Sequence, residues 1–181
     1  MASNKKLLQK FRVPLGFVFG IVFLIFSKPT PRLMFIGGCI AAIGLLIRAW
    51  SAGHIRKNRE LAVSGPYRFT RNPLYFGSFL LGLGFSIASG VWWIAVMFAV
   101  LYLGIYFPVM SVEAEELTAL FGDGYRDYAK RVSLFFPWFS DIKSTGKKFE
   151  LKLYLRYREY QALLGAIFAW IVLAIKAIYF N

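Results

Sequence analysis

The sequence predicts an all-α fold: a polytopic membrane helical bundle of about five transmembrane helices with short cytoplasmic helices. Three observations predict it. Apolar residues fill 58% of the 181 positions and charged residues only 17%, against roughly 25% charged in average soluble domains. The apolar residues gather in five long runs separated by polar stretches. Basic residues outnumber acidic ones 22 to 9, a net charge of +13, and most of them fall in three of those stretches. The same figures exclude other classes. So much apolar surface rules out a disordered chain. The single cysteine, Cys39, rules out a disulfide-stapled domain. With His54 as the one histidine, no zinc site of His and Cys is expected, and no metal ligand is assigned.

In chain order, Val13–Phe26 is the first run, somewhat short of the roughly 20 residues a spanning helix needs; it borrows flanking residues such as Phe11. No small-residue cleavage site follows it before Lys28, so a cleaved signal is not expected. Leu33–Trp50 is long enough and is broken only by Arg48. Leu74–Ala88 is again short and borrows Pro73, while Val91–Met110 is full length. Ser89-Gly90 between them leaves room only for a tight turn, so these two spans form an antiparallel hairpin. Ala162–Phe180 is the last span, interrupted by Lys176. Small residues recur at helical spacing (Gly16 and Gly20, Gly37 and Ala41, Gly38 and Ala42, Ser78 and Gly82), the pattern that lets helix backbones approach closely in lipid. Residues 1–181 are read as one integral-membrane domain, with a motif-bearing core at 48–138 and an interfacial segment plus last span at 139–181.

Charge sets the expected topology. Four basic residues lie in the N-terminal tail, six between Arg48 and Arg71, and nine between Arg126 and Arg158, 19 of the 22 in all. Five spans with the N-terminus in the cytoplasm put all three stretches on that side, as the positive-inside bias requires, and the C-terminus on the other. The basic residues are thereby absorbed as topology signals and lipid headgroup partners, and no nucleic acid partner is expected. Apart from tyrosines, only Arg48 and Lys176 are ionisable within the spans, both near helix ends where they can snorkel. Nothing resembles a proton relay or a ring of pore charges, so the chemistry is expected at the cytoplasmic face.

Two polar segments could carry it. The first runs Arg59-Glu60-Leu61-Ala62-Val63-Ser64-Gly65-Pro66-Tyr67-Arg68-Phe69-Thr70-Arg71-Asn72-Pro73-Leu74-Tyr75-Phe76-Gly77. Gly65-Pro66 is a turn signal. Asn72 is a favourable N-cap and Pro73 a favourable first helical residue, and a helix N-terminus there presents N–H groups to an anion. Arg71 adds charge, and Tyr67 and Tyr75 add ring faces. The second segment continues from the fourth span. It carries Glu113, the pair Glu115-Glu116, and Leu117, Leu120 and Phe121 at helical spacing; Gly122 and Gly124 end or bend that helix. Tyr125, Tyr128 and Val132 then recur at the spacing of a second short amphipathic helix. From Lys148 to Arg158 apolar and charged residues nearly alternate, which formally reads as a strand; with no partner strand in sight, an interfacial helix leading into the last span is expected.

Together, the segments Gly65-Pro66-Tyr67 and Arg71-Asn72-Pro73-Leu74-Tyr75-Phe76-Gly77, followed after a helical hairpin by Glu115-Glu116, Phe121-Gly122, Tyr125, Tyr128, Val132 and Pro137, resemble the isoprenylcysteine carboxyl methyltransferase family and the related phospholipid methyltransferases. The resemblance covers roughly residues 48–138. It implies methyl transfer from S-adenosyl-L-methionine, leaving S-adenosyl-L-homocysteine, to a lipophilic or lipid-linked acceptor reached from the bilayer. It implies that Arg59, Glu60, Leu61, Ala62, Tyr67, Asn72, Pro73, Leu74 and Tyr75 line the cofactor pocket and that Glu116 closes it. Glu116, Glu115 and Arg71 are the candidate catalytic residues. The chain departs from the family twice. Asn72 stands in place of a histidine and can donate a hydrogen bond but carry no proton. Val109-Met110-Ser111-Val112 stands where carboxyl methyltransferases tend to have an arginine. The attacking atom of the acceptor (oxygen, nitrogen or sulfur) therefore stays open, with phospholipid N-methylation beside prenylcysteine carboxyl methylation. A non-catalytic lipid-binding or assembly protein on the same scaffold is the alternative of a different class.

Overall fold

A computed structural model describes residues 2–56, 60–142 and 147–179, with side chains from residue 14 onward. It is helical throughout, with no strand among the described residues. Seven α-helices follow in order: α1 (Ala2–Phe26), α2 (Pro31–Ala52), α3 (Pro73–Ala88), α4 (Trp92–Phe121), α5 (Asp123–Arg131), α6 (Leu151–Arg156) and α7 (Tyr160–Tyr179), with a 3₁₀ turn at Gly65–Arg68. Helices α2, α4 and α7 are each long and apolar enough to cross a membrane; Pro14–Phe26 and Pro73–Ala88 are apolar but shorter. This is the pattern of a membrane helical bundle, with the five apolar runs in the expected places. The contacts divide into two compact units: residues 1–43, 79–109 and 164–181 form the first, and residues 44–78 and 110–163 the second.

In the first unit, packing is by close backbone approach and by rings. A Cβ on Gly84 would sit 2.4 Å from the Gly37 carbonyl oxygen and 2.6 Å from the Ala41 nitrogen, so α2 and α3 touch main chain to main chain at the small-residue stripe. The Trp170 ring lies over Gly38, 3.2 Å from where its Cβ would be. Phe19, Phe98, Phe79 and Tyr102 form a chain of ring contacts 5.5–5.9 Å apart, continued by Tyr106 stacked on Tyr102 at 4.2 Å. Such contacts replace the hydrophobic drive that lipid does not supply. Gly16 and Gly20 correct the expectation drawn from their spacing: neither has anything within 4 Å of its would-be Cβ, because that stretch of α1 turns Phe17, Val18 and Ile21 outward, more than half exposed. The Ser89-Gly90 turn forms as expected. Gly90 takes φ 74° and its missing Cβ makes room for the Lys28 carbonyl, 2.0 Å from that point. Lys176 donates to the Leu24 and Ile25 carbonyls in the last turn of α1.

The second unit is held by polar contacts. Residues 133–142 run antiparallel to residues 68–72 and are bonded to them along their length. Arg71 N donates to Ser133 O at 2.9 Å and Trp138 N to Phe69 O at 2.8 Å. The Asn72 amide donates to Leu134 O, the Thr70 hydroxyl to Phe135 O, and the Arg68 Nε to Ile142 O, each at 2.9 Å. Ser140 Oγ donates to Arg68 O at 2.5 Å. Beside this strap, Tyr125, Tyr128 and Val132 of α5 and its end form a buried cluster with Leu61, Val63, Leu117 and Phe121 packed against it. Gly122, at φ 56°, separates α4 from α5. The segment expected as one helix from Lys148 to Arg158 is helical only over Leu151–Arg156. Arg158 takes φ 53°, a left-handed conformation in the turn that interrupts the helix before α7. In that turn Glu159 meets Arg48, whose Nε donates to its carboxylate at 2.6 Å, while Arg48 Nη1 donates to Ser78.

Candidate functional site

The two motif segments meet within the second unit. The start of α3 and the polar end of α4 are joined by the Tyr75 hydroxyl, which donates to the Glu113 carboxylate at 2.6 Å, the short geometry of a charge-assisted bond. Glu113 belongs to the inward face of α4. Val109 and Met110, four and three residues before it, are buried, and Leu117, four residues after it, packs on the tyrosine cluster. The glutamate pair read from the sequence lies further round and further out. Glu116 is exposed. Glu115, also exposed, lines an open concavity of about 360 Å3 together with Arg71, Thr118, Tyr125, Arg126 and Lys130. Glu113, which is not among the sequence's candidate residues, is the acid of α4 that a hydrogen bond ties to the first motif segment. The signal available was its register with Val109 and Met110, which outweighs the adjacency of Glu115 and Glu116.

Arg71 stands between these features. Its Nη1 donates to the Tyr125 hydroxyl at 3.3 Å and its guanidinium lies 5.9 Å from the centre of that ring, while its Nε is buried with no hydrogen-bond partner in the structure. Tyr67 is buried, and its backbone carbonyl accepts from the Tyr128 hydroxyl at 2.6 Å. The Tyr67 hydroxyl itself has no hydrogen-bond partner among the described residues. Burial, with the nearby Tyr128 and Glu113 adding to it, holds this phenol well above the usual tyrosine range. Burial does the same to Tyr128. An unpartnered buried hydroxyl is uncommon, since such a group forfeits its hydration.

The remaining residues of the first segment fall into supporting positions. Asn72 precedes α3 and spends its amide nitrogen on Leu134 O, so the side chain expected to cap the helix anchors the strap. Pro73 is buried and opens the helix; Leu74 is half-buried beside it. Leu61 packs on the Tyr125–Tyr128–Val132 cluster and Ala62 is half-buried. Glu60 is held by Lys147 and Arg56, the first the larger influence, and these cations keep its carboxyl below the usual range. Arg59 lies outside the described residues. No group of three or more His, Cys, Asp or Glu that could hold a metal occurs among the described residues.

Comparison with known proteins matches these same segments. The model of a family described as phospholipid methyltransferase matches residues 33–124, just over half of the chain. Protein-S-isoprenylcysteine O-methyltransferase of Schizosaccharomyces pombe is 24% identical over 135 residues, 72% of this chain and 57% of its own length. A cobalt-zinc-cadmium resistance protein of Cupriavidus metallidurans is 31% identical over 110 residues, 60% of this chain and 50% of its own. Methanethiol S-methyltransferase 1 of Bradyrhizobium diazoefficiens is 35% identical over 79 residues, 40% of this chain and 24% of its own. The chain spans about half the length of the curated relatives it matches first. No solved structure matches.

Proposed function

The chain belongs to the phospholipid methyltransferase family, and on that premise we propose that it is a membrane-embedded enzyme transferring a methyl group from S-adenosylmethionine to a lipophilic or lipid-linked acceptor at the cytoplasmic face, with its N-terminus on that side and its C-terminus on the other. The observation that carries this reading is the Tyr75–Glu113 bond, which joins the start of α3 to the polar end of α4. S-adenosylmethionine supplies, when bound, a methyl group on a sulfonium within a zwitterionic amino acid. The residues present fit such a group. Glu113 offers a carboxylate to its ammonium or sulfonium, and the buried Tyr67 hydroxyl offers a hydrogen-bonding group that the protein leaves unused. The first turn of α3 has N–H groups outside its own hydrogen-bond pattern, suited to a carboxylate. Arg71 and the concavity it shares with Glu115 and Tyr125 form the place for the acceptor's polar end.

The reaction asks little covalent work of the protein. Glu113, the Tyr67 hydroxyl and the first turn of α3 would hold the donor, which would present an electrophilic methyl group in line with the acceptor, and an acceptor that carries a proton would give it up to solvent or a nearby carboxylate. Alignment with water excluded supplies much of the rate. Tyr75 orients Glu113, and Arg71 fixes the tyrosine cluster behind the concavity. Val109–Val112 carries no arginine, so the attacking atom of the acceptor is left open among oxygen, nitrogen and sulfur.

The test is binding of S-adenosylhomocysteine to the protein in nanodiscs, followed by incubation of labelled S-adenosylmethionine with extracted membranes. We expect saturable binding, weakened about tenfold or more by Glu113→Gln in line with the loss of one charge-assisted contact, several-fold by Tyr75→Phe, and little by Glu116→Ala. Absence of binding by folded protein overturns the reading. Binding without label in any lipid or small molecule replaces it with the non-catalytic alternative.

A further inference from the structure

The strap over residues 68–72 carries side chains that nothing in the proposed reaction uses. Phe135 turns inward, buried against Phe76 with ring centres 5.7 Å apart. Its neighbours turn outward: Phe136 is 56% exposed, Trp138 74% and Phe139 87%. This exposure is not slack in the chain, because hydrogen bonds fix the backbone on both sides, from Arg71, Asn72 and Thr70 to residues 133–135 and from Trp138, Ser140 and Arg68 to residues 69, 68 and 142. A rigid backbone that displays three large aromatic side chains presents a surface built to be covered.

The sequence that follows carries the complementary charge. In α6, Leu153 is buried while Leu151 and Leu155 are more than half exposed. Lys152 and Arg156, one turn apart, are exposed, as is Lys148 just before the helix, and no acid among the described residues pairs with any of the three. Lys147, by contrast, is held by Glu60. Exposed Trp and Phe followed within the same polar segment by Lys and Arg that no described acid pairs, in the chain that leads into a membrane-spanning helix, is the composition of a membrane–water interface. A second copy of this surface would bring like charges together; an anionic headgroup layer would not.

We propose that Phe136, Trp138 and Phe139, with the outward face of α6, form an interfacial anchor that seats the strap in the headgroup region and takes anionic lipid through Lys148, Lys152 and Arg156. Because the strap is bonded to residues 68–72, the anchor also fixes the depth at which the start of α3 stands relative to the lipid surface.

The experiment uses the full chain with Cys39→Ser and a bimane label on Trp138→Cys, reconstituted in vesicles of phosphatidylcholine with or without phosphatidylglycerol. Nitroxide at the lipid headgroup or upper acyl chain is expected to quench the label several-fold more than aqueous iodide does, with a label at exposed Asp123→Cys showing the reverse. Equal or greater quenching by iodide at position 138 overturns the anchor. In the second arm, the preference for spin-labelled phosphatidylglycerol over phosphatidylcholine is expected to fall about fivefold for each of Lys148→Gln, Lys152→Gln and Arg156→Gln, the scale of one basic residue near an anionic surface. An unchanged preference in the triple variant overturns the lipid assignment. All substituted side chains are exposed, and neither arm reads methyl transfer, so failure here is separate from failure of the proposed activity.

Discussion

In the first unit Gly37 and Gly84 meet backbone to backbone and four rings follow one another from Phe19 to Tyr102, whereas in the second the backbone of residues 133–142 is hydrogen-bonded to residues 68–72 and Arg48 closes on Glu159. The first unit holds most of the apolar runs; the second holds all nine acids. Each uses what its surroundings leave available. Where lipid is the solvent, shape and dispersion carry most helix contacts, with the bond from Lys176 to the end of α1 as a polar addition. Where polar loops fold back, hydrogen bonds and charges set the geometry, and that geometry is what a site for a charged cofactor requires.

The largest effect that could break this contrast is at Arg48. Arg48→Met leaves the Glu159 carboxylate, 11% exposed, without its cation, and should destabilise by about 3 kcal/mol, the scale of breaking a mostly buried pair. Thermal unfolding in detergent measures it, and Arg48→Met with Glu159→Met should recover most of the loss. Full stability in the single variant would show that the second unit is not held by this pair. Next comes Gly84→Val, whose side chain would enter the Gly37 backbone; overpacking of this kind costs about 2–3 kcal/mol and should lower the unfolding temperature while leaving ligand affinity in the surviving folded fraction unchanged. Asn72→Ala removes the 2.9 Å donor to the Leu134 carbonyl and leaves it the longer Thr70 contact at 3.4 Å, and should cost about 1 kcal/mol. Asn72→His, able to donate at the same place, should regain part of it.

The smallest effect at neutral pH sharpens the contrast at high pH. Tyr67 and Tyr128 keep their phenols protonated above the range in which an unfolded tyrosine ionises, near pH 10. Below pH 10 both states hold the proton and pH has no effect through these groups. Above it the unfolded state releases protons that the folded state retains, so stability falls as pH rises, by about 1.4 kcal/mol per pH unit for each such phenol. Tyr67→Phe should leave the unfolding temperature near its starting value at pH 7, since the lost hydroxyl has no hydrogen-bond partner, and should shallow the decline measured between pH 10 and 11.

The helices were legible because membrane spans are written in composition: five apolar runs gave five helices at the expected places. Register within a span was less legible. The Gly37–Ala41 stripe packs on α3 while the Gly16–Gly20 stripe faces open space, and spacing alone does not say which neighbour a stripe meets. The candidate site was half visible. Arg71, Asn72 and Tyr75 stood out by motif, and the structure gives all three contacts to other segments. Glu113 did not stand out, because a solitary glutamate beside a glutamate pair draws less notice than the pair; burial on the Val109–Met110 face is what distinguishes it. The strap was invisible for a different reason. Many of its bonds end on backbone carbonyls, which every residue possesses, at partners 62 to 74 positions away.

That separation bears on how the protein is made. Residues 68–72 leave the ribosome long before residues 133–142, and the α3–α4 hairpin turn is synthesised in between. On the proposed topology the start of α3 therefore enters the bilayer without the bonds that later fix it, and the hairpin is inserted before its own base can be fastened. A nascent chain arrested so that residue 125 has just emerged from the ribosome should hold its first four helices in the membrane yet leave residues 68–72 open to protease, and protection should arrive only once the segment through Ile142 has emerged.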